Sequence, residues 1–134
     1  CVFTCPSCPA LQGCTEHINA NRMYYVCQDQ QRWWNASSKC EDAGAWLVII
    51  SSAEENAFVG SIVTGGSKWI GTTQSWGKWI WVNNQEITYS AWGPGQPDDG
   101  DFWTTEDCVE INSSGNWNDN QCGSEMGYIC EFAP

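Results

Sequence analysis

Hydrophobic and polar positions change their period along the chain, and the elements follow from that change. Residues 22–27 (Arg-Met-Tyr-Tyr-Val-Cys) have the β-branched and aromatic character of a strand. Residues 33–43 read as a helix. Trp34, Ser38 and Ala45 bracket its buried side, Cys40 lies within it, and Gly44 is the stop. Trp46–Ile50 is a short, wholly apolar run and reads as a buried strand. Ser52-Ala-Glu-Glu55 is a capping box. It opens a second helix that runs to about Val63, with Phe58 and Ile62 on its inner face, and Gly65-Gly66 ends it.

The second half alternates strand-like runs with long polar stretches. Residues 69–71, 79–82, 109–111 and 128–130 read as short strands, and Asn83-Asn84 as a turn. Residues 83–107 are rich in Gly, Pro, Asn and Asp and have little periodicity. A long irregular loop inside a small domain usually carries function. Two helices in the first half, followed by short strands, predict an α+β fold.

The chain has 134 residues, which suits one domain. Nine cysteines are far more than a cytosolic protein of this size holds, so an oxidising compartment and a disulfide framework are expected. Nine is odd, which leaves at least one cysteine for a free thiol or a bridge to a second chain. Residues 1–13 form a Cys- and Pro-rich extension ahead of a domain over 14–134. Cys5-Pro-Ser-Cys8 has the spacing of a redox or zinc motif, but only half of a zinc set and no thioredoxin-like context accompany it. The start at Cys1 reads as a processed, secreted form, and Asn35-Ala-Ser37 and Asn112-Ser-Ser114 fit the N-glycosylation pattern. No apolar run approaches the roughly 20 residues of a membrane-spanning helix.

Sixteen acidic side chains face five basic ones, for a net charge of −11. Nucleic acids and anionic membranes are poor partners for such a chain, because phosphate contacts need Lys and Arg. Asp98, Asp99, Asp101, Glu106, Asp107, Glu110 and Asp119 crowd between positions 98 and 119. This is either a solvated acidic loop or a site for a hard cation such as calcium.

Several short motifs, in order, resemble those of the C-type lectin-like domain. Trp69-Ile-Gly71-Thr72 resembles its Trp-Ile-Gly-Leu core motif and Trp79-Ile-Trp81 its Trp-x-Trp strand. Gln96-Pro97-Asp98 resembles its Gln-Pro-Asp sugar-specificity triplet. Glu106-Asp-Cys108 and Trp117-Asn-Asp119 resemble its remaining calcium motifs, and Tyr128-Ile-Cys130-Glu131 its last strand. The resemblance covers residues 14–132. It implies two helices packed on small antiparallel sheets with a long calcium-binding loop. It also implies the pairs Cys40–Cys130, Cys108–Cys122 and Cys14–Cys27. Cys1, Cys5 and Cys8 then remain for an interchain disulfide, and a disulfide-linked homodimer is expected.

The resemblance further implies one Ca2+ held by Gln96, Asp98, Glu106, Asn118 and Asp119, with the same side chains bonding the sugar. Each carboxylate accepts from a sugar hydroxyl and each amide donates through its NH₂. A cis peptide is expected before Pro97. The order Gln-Pro-Asp implies galactose or N-acetylgalactosamine on cell-surface or glycoprotein glycans, in agglutination or innate recognition. Trp103 and then Phe102 are the candidates for stacking on the sugar. The loop 99–105 lacks the Gly run of galactose-type members, which admits N-acetylhexosamines held through the acetamido group. A second calcium site would draw on Thr72–Ser75 and Asp107. Thr72–Ser75 carries no acid, so that site is expected to be absent or badly weakened, although Asp107 is retained.

Most of the ten tryptophans read as core: Trp69, Trp79, Trp81 and Trp117 on the motifs, with Trp34 and Trp92 packing beside them. His17, the one histidine, reads as a surface residue. Without a nucleophile beside it, an enzyme is not expected. Asp98 and Glu106 resemble a glycosidase pair, but bound calcium would keep both ionised and block the general-acid role. A module of the same fold that binds protein or ice instead of sugar is the other reading.

Overall fold

A computed structural model describes residues 11, 13–75, 77–97 and 107–132. In chain order the elements are β1 (Cys14–Asn19), β2 (Arg22–Gln31), α1 (Trp33–Asp42), β3 (Trp46–Leu47) and α2 (Ala53–Ile62). Then follow β4 (Lys68–Ser75), β5 (Lys78–Trp81), β6 (Cys108–Ile111), β7 (Trp117–Asn120) and β8 (Met126–Phe132). The predicted α+β class is present. The strands join in one hydrogen-bonded path, β1-β2-β8-β4-β6-β7, with β3 on β8 and β5 on β4. The pairings are antiparallel except β4 with β8, which is parallel and ties the two halves of the sheet together.

Local chemistry accounts for the element ends. β1 and β2 are joined at Ala20 and Asn21, with φ 51° and 63°. A two-residue hairpin turn with both central residues at positive φ matches the twist of its strands. At the start of α2, Ser52 Oγ accepts from the Glu55 N–H at 3.1 Å, as the capping box predicts. The Glu55 carboxylate reaches back one residue further than expected, to the Ser51 N–H at 2.9 Å. Gly71 is required by a close approach: a Cβ there would meet the Leu47 carbonyl oxygen at 2.3 Å.

The core has two parts. Val48, Ile50, Val59, Ile62, Ile70, Trp81, Val109, Ile111, Trp117 and Ile129 fill one, between α2 and the later strands. Trp33, Ala36, Cys40, Leu47, Trp69, Cys108 and Tyr128 fill the other, against α1. Three disulfides staple them, Cys14–Cys27, Cys40–Cys130 and Cys108–Cys122, the pairs implied by the motifs. Such bridges typically contribute about 2–4 kcal/mol each.

Two sequence-based expectations fail here. Trp34 is 56% exposed, and Trp33 is the buried tryptophan of α1, its Nε1–H donating to the Ile70 carbonyl at 2.9 Å. The bond from Cys40 to Cys130 decides the face: four and seven residues before Cys40 lie Ala36 and Trp33, while Trp34 and Ser38 turn outward. The run Trp46–Ile50 is a strand only over Trp46–Leu47, and Trp46 is 38% exposed. Beyond it, Val48 donates to Ile129 and accepts from Gly71, bridging two strands.

An ionic cluster joins β2, α2 and β8. Arg22 Nη1 lies 3.5 Å from both Glu55 Oε2 and Glu131 Oε2. The Tyr24 hydroxyl donates to Glu55 at 2.9 Å and the Ile49 N–H to Glu131 at 3.4 Å. Burial, reinforced by the neighbouring Glu55 charge and partly offset by Arg22, pushes the Glu131 carboxyl up to about 7. Between the ordinary carboxylate range and about pH 7 the folded chain therefore holds a proton that the unfolded chain has released. Stability falls as pH rises through that window and levels off above it. The expected loss is roughly 3 kcal/mol. Urea unfolding in chelator should show this slope in the parent chain and a flattened slope in Glu131→Gln. An equal slope in both would locate the titration elsewhere.

Candidate functional site

Trp117 places the site. Its side chain is fully buried, and the rings of Trp81, Trp92 and Tyr89 meet it edge-on at 5.6, 5.7 and 6.0 Å. Its Nε1–H donates to Asn56 Oδ1 on α2 at 2.8 Å, and Asn56 Nδ2 donates to the Gly115 carbonyl at 2.8 Å. Both tryptophan contacts expected for Trp79 and Trp92 are partial: the two are half-buried and pack on each other at 5.1 Å. The next two residues along β7 are Asn118 and Asp119, so the core aromatic fixes where both begin.

The backbone of Trp117 also holds the segment that carries Gln96. The Trp117 N–H donates to Ala91 and its carbonyl accepts from Gly93, at 2.9 Å each. The Gln96 N–H then donates to the Gly93 carbonyl at 3.0 Å. The Gln96–Pro97 peptide is cis, as expected from the triplet. Gln96 and Asn118 consequently line one polar pocket of about 280 Å³, with Glu110, Asn112, Asn116 and Ser67 on its remaining sides. Asp119 is fully buried beside Asn118.

Glu110 is the residue that sequence reasoning counted among the acids without giving it a role. It faces Asn118 across the β6–β7 pair. Asn118 Nδ2 donates to Glu110 Oε1 at 2.8 Å, and Asn120 Nδ2 to the same oxygen at 3.4 Å. The signal was present in Val109-Glu110-Ile111, an acid between two buried residues on a strand. Its partner becomes visible only once the hairpin register pairs 110 with 118.

Of the five expected ligands, Gln96 and Asn118 line one pocket, and Asp119 follows Asn118 on β7 as a buried residue that does not line it. Asp98 and Glu106, with the stacking candidates Phe102 and Trp103, lie outside the described residues, as do Cys1, Cys5 and Cys8. In the stretch considered for a second ion, Thr73 Oγ1 and the Gln74 N–H both donate to the Asp107 backbone carbonyl, at 2.7 and 2.8 Å. Among the described residues the one grouping of metal-type donors is Cys14, Cys27 and Asp29. Its two sulfurs are bonded to each other, so it is not a metal centre. His17 sits half-buried in β1, opposite Tyr24 and at the far edge of the sheet from β7.

The Lectin C-type domain family matches residues 29–132. The chain belongs to that family. It is 34% identical over 113 residues to asialoglycoprotein receptor 1 of Rattus norvegicus, covering 81% of this chain and 40% of the receptor. The first relatives it matches are longer still in part, and the chain spans 22–40% of their lengths. A solved carbohydrate-recognition domain of cow CD23, crystallised in the presence of a GlcNAc2Man3 oligosaccharide, superposes with a TM-score of 0.81. It is 34% identical, with 98% of this chain and 97% of that one covered. A calcium-independent type II antifreeze protein has the same fold, with a TM-score of 0.79, 27% identity, and coverage of 97% and 95%.

The described donors fit calcium. Gln96 and Asn118 offer amide oxygens and Asp119 a carboxylate, the hard oxygen ligands that calcium prefers. Because a carboxylate only accepts, Glu110 takes the NH₂ end of Asn118, so the oxygen is the end not turned to Glu110.

Asn56 secures the strand that carries two of these donors. Asn56→Ala strands a buried indole N–H and a backbone carbonyl, and should cost about 2–4 kcal/mol. Urea denaturation of the metal-free chain measures this. A loss below about 0.5 kcal/mol would mean that water or a neighbour replaces both bonds.

Proposed function

We propose that this chain is a calcium-dependent carbohydrate-binding domain for galactose- and N-acetylgalactosamine-type sugars. The observation that carries the reading is the convergence of Gln96 and Asn118 on one polar pocket, with Asp119 next on the same strand. Asp98 and Glu106 complete the donor set on the strength of their motifs. Calcium bound there supplies attraction for the oxygens of a vicinal diol.

The chain's own residues do the rest. Gln96 and Asn118 donate through their amide NH₂ groups, while Asp98 and Glu106 accept from sugar hydroxyls. The order of amide and acid in Gln96-Pro97-Asp98 favours a galactose-type diol. Trp103, or Phe102, stacks on the apolar face of the sugar, and the lack of a Gly run in the sequence 99–105 is the reason to include N-acetylhexosamines held through the acetamido group. Binding, not catalysis, is the activity. The three disulfides favour an extracellular setting. Among the described residues no helix is long and apolar enough to cross a membrane.

A glycan array run with calcium and then with chelator tests this reading. Galactose and N-acetylgalactosamine signals that vanish with chelator are expected. Absence of any sugar signal in calcium would sink the lectin reading and favour a protein- or ice-binding module, as in the antifreeze neighbour. Asp98→Ala and Asn118→Ala should each abolish calcium and sugar binding together. An unchanged galactose affinity in either variant would count against the site as drawn.

The domain over 14–134 is proposed to follow an extension, 1–13, that links two copies. Six cysteines pair within the domain, which leaves the odd set Cys1, Cys5 and Cys8. A covalent dimer raises avidity on a glycan-coated surface, a property suited to agglutination or innate recognition. Electrophoresis without reductant should show a dimer band that collapses with reductant; a monomer band in both lanes would refute the linkage.

A further inference from the structure

Asn118 belongs to a chain of hydrogen bonds that leads away from the pocket. Glu110 Oε1 accepts from Asn118 Nδ2 at 2.8 Å and from Asn120 Nδ2 at 3.4 Å. Asn120 is itself held, its Oδ1 accepting from the Gln121 N–H at 2.7 Å and the Ser124 hydroxyl at 3.3 Å. The Gln121–Ser124 turn is anchored in turn by Cys122, bonded to Cys108 on β6. Among the described residues Glu110 forms no ion pair. Its described hydrogen bonds come only from these two amides.

A side-chain amide presents two ends of nearly the same shape and opposite polarity. A cation accepts only the oxygen end, and an amide with no fixed partner spends part of its time turned the wrong way. Glu110 removes that freedom, because a carboxylate accepts and cannot donate. Asn120, locked by its own two bonds, keeps the carboxylate from swinging away. We propose that Glu110 is the positioning residue that fixes the amide orientation of Asn118, and so sets the chain's calcium affinity without touching the ion. This rests on the calcium reading above. It adds a determinant outside the five ligands, and one that depends on acceptor geometry rather than on charge alone.

Calorimetric titration of the full disulfide-bonded chain with calcium tests the idea. Glu110→Ala should weaken calcium binding about 10–100-fold, the usual effect of removing a group that orients a ligand. In Glu110→Gln the fixed Asn120 Nδ2 still calls for an oxygen at the same place, so the new amide's carbonyl oxygen is held toward Asn118 as well and most of the affinity should be retained. The metal-free urea midpoint reports whether either variant has simply lost its fold. A pair of variants reverses the polarity and does not depend on Glu110→Ala folding. Asn118→Asp adds an anionic ligand yet faces two carboxylates to each other, so it should bind calcium more weakly than the parent. Adding Glu110→Gln to it restores an amide–carboxylate pair and should recover binding. If the parent chain takes up no calcium, the functional reading fails. If the parent binds and Glu110→Ala binds equally well, or if Glu110→Gln falls as far as Glu110→Ala, the positioning role fails and the site stands. Tighter binding by Asn118→Asp alone would also overturn it.

Discussion

The hold on Trp117 is the constraint from which the rest of the site follows. A fully buried indole must satisfy its one N–H, and here it does so on α2 through Asn56. The same Asn56 returns a bond to Gly115, at the turn that feeds β7. Helix and hairpin are thereby joined by a single side chain that uses both ends of its amide. The close approach is reinforced at Gly60, where a Cβ would come within 2.9 Å of the Gly115 Cα. With the indole fixed, the backbone of residue 117 has no slack. It pairs on one side with Ile111 and on the other with Ala91 and Gly93. Gln96 and Asn118, distant in sequence, meet because both are a few atoms from this one residue.

A strand alternates its faces, and β7 uses that period to separate two tasks. Trp117 faces the core with Ile111. Asn118 faces Glu110 and the pocket, and Asn120 donates to Glu110 from the same side. A change on the first face is felt as stability, while a change on the second is felt by whatever the pocket binds. Asp119 falls on the core-facing side and is fully buried, so the proposed donor set draws from both faces of one strand.

Much of this was legible in the residues, and the reasons for the gaps are physical. Local codes read correctly. The Ser52 cap acts as predicted and Asn84 takes a positive φ in its turn, while the cis bond before Pro97 was expected from the resemblance. The disulfide pairs came from the resemblance rather than from spacing, since spacing alone leaves many pairings open. The errors are of a different kind. β1 and β7 escaped notice because Thr15-Glu16-His17 and Asn118-Asp119-Asn120 are too polar to read as strands; pairing with β2 and β6 makes them so. The pattern Trp34, Ser38 and Ala45 points to one buried face of α1, but the Cys40–Cys130 bond turns the other face inward. A covalent constraint formed 90 residues away outranks the local pattern.

Glu110 shows the same limit at the site itself. In sequence it is one acid among several, and the strand-like run Val109–Ile111 marks its place without showing its partner. Its role depends on a cross-strand neighbour, a carboxylate opposite an amide, and register is a property of the hairpin rather than of either strand. The ligand motifs can therefore be read from a linear pattern, while the groups that orient the ligands cannot. Two chains with identical motifs but a different residue at this position would carry the same five oxygens, one of them on an amide free to turn. Their calcium affinities should then differ for a reason invisible in the motifs. The far end of the network, at Ser124 and the Cys108–Cys122 bond, belongs to the same device, because each bond in it holds the next in place.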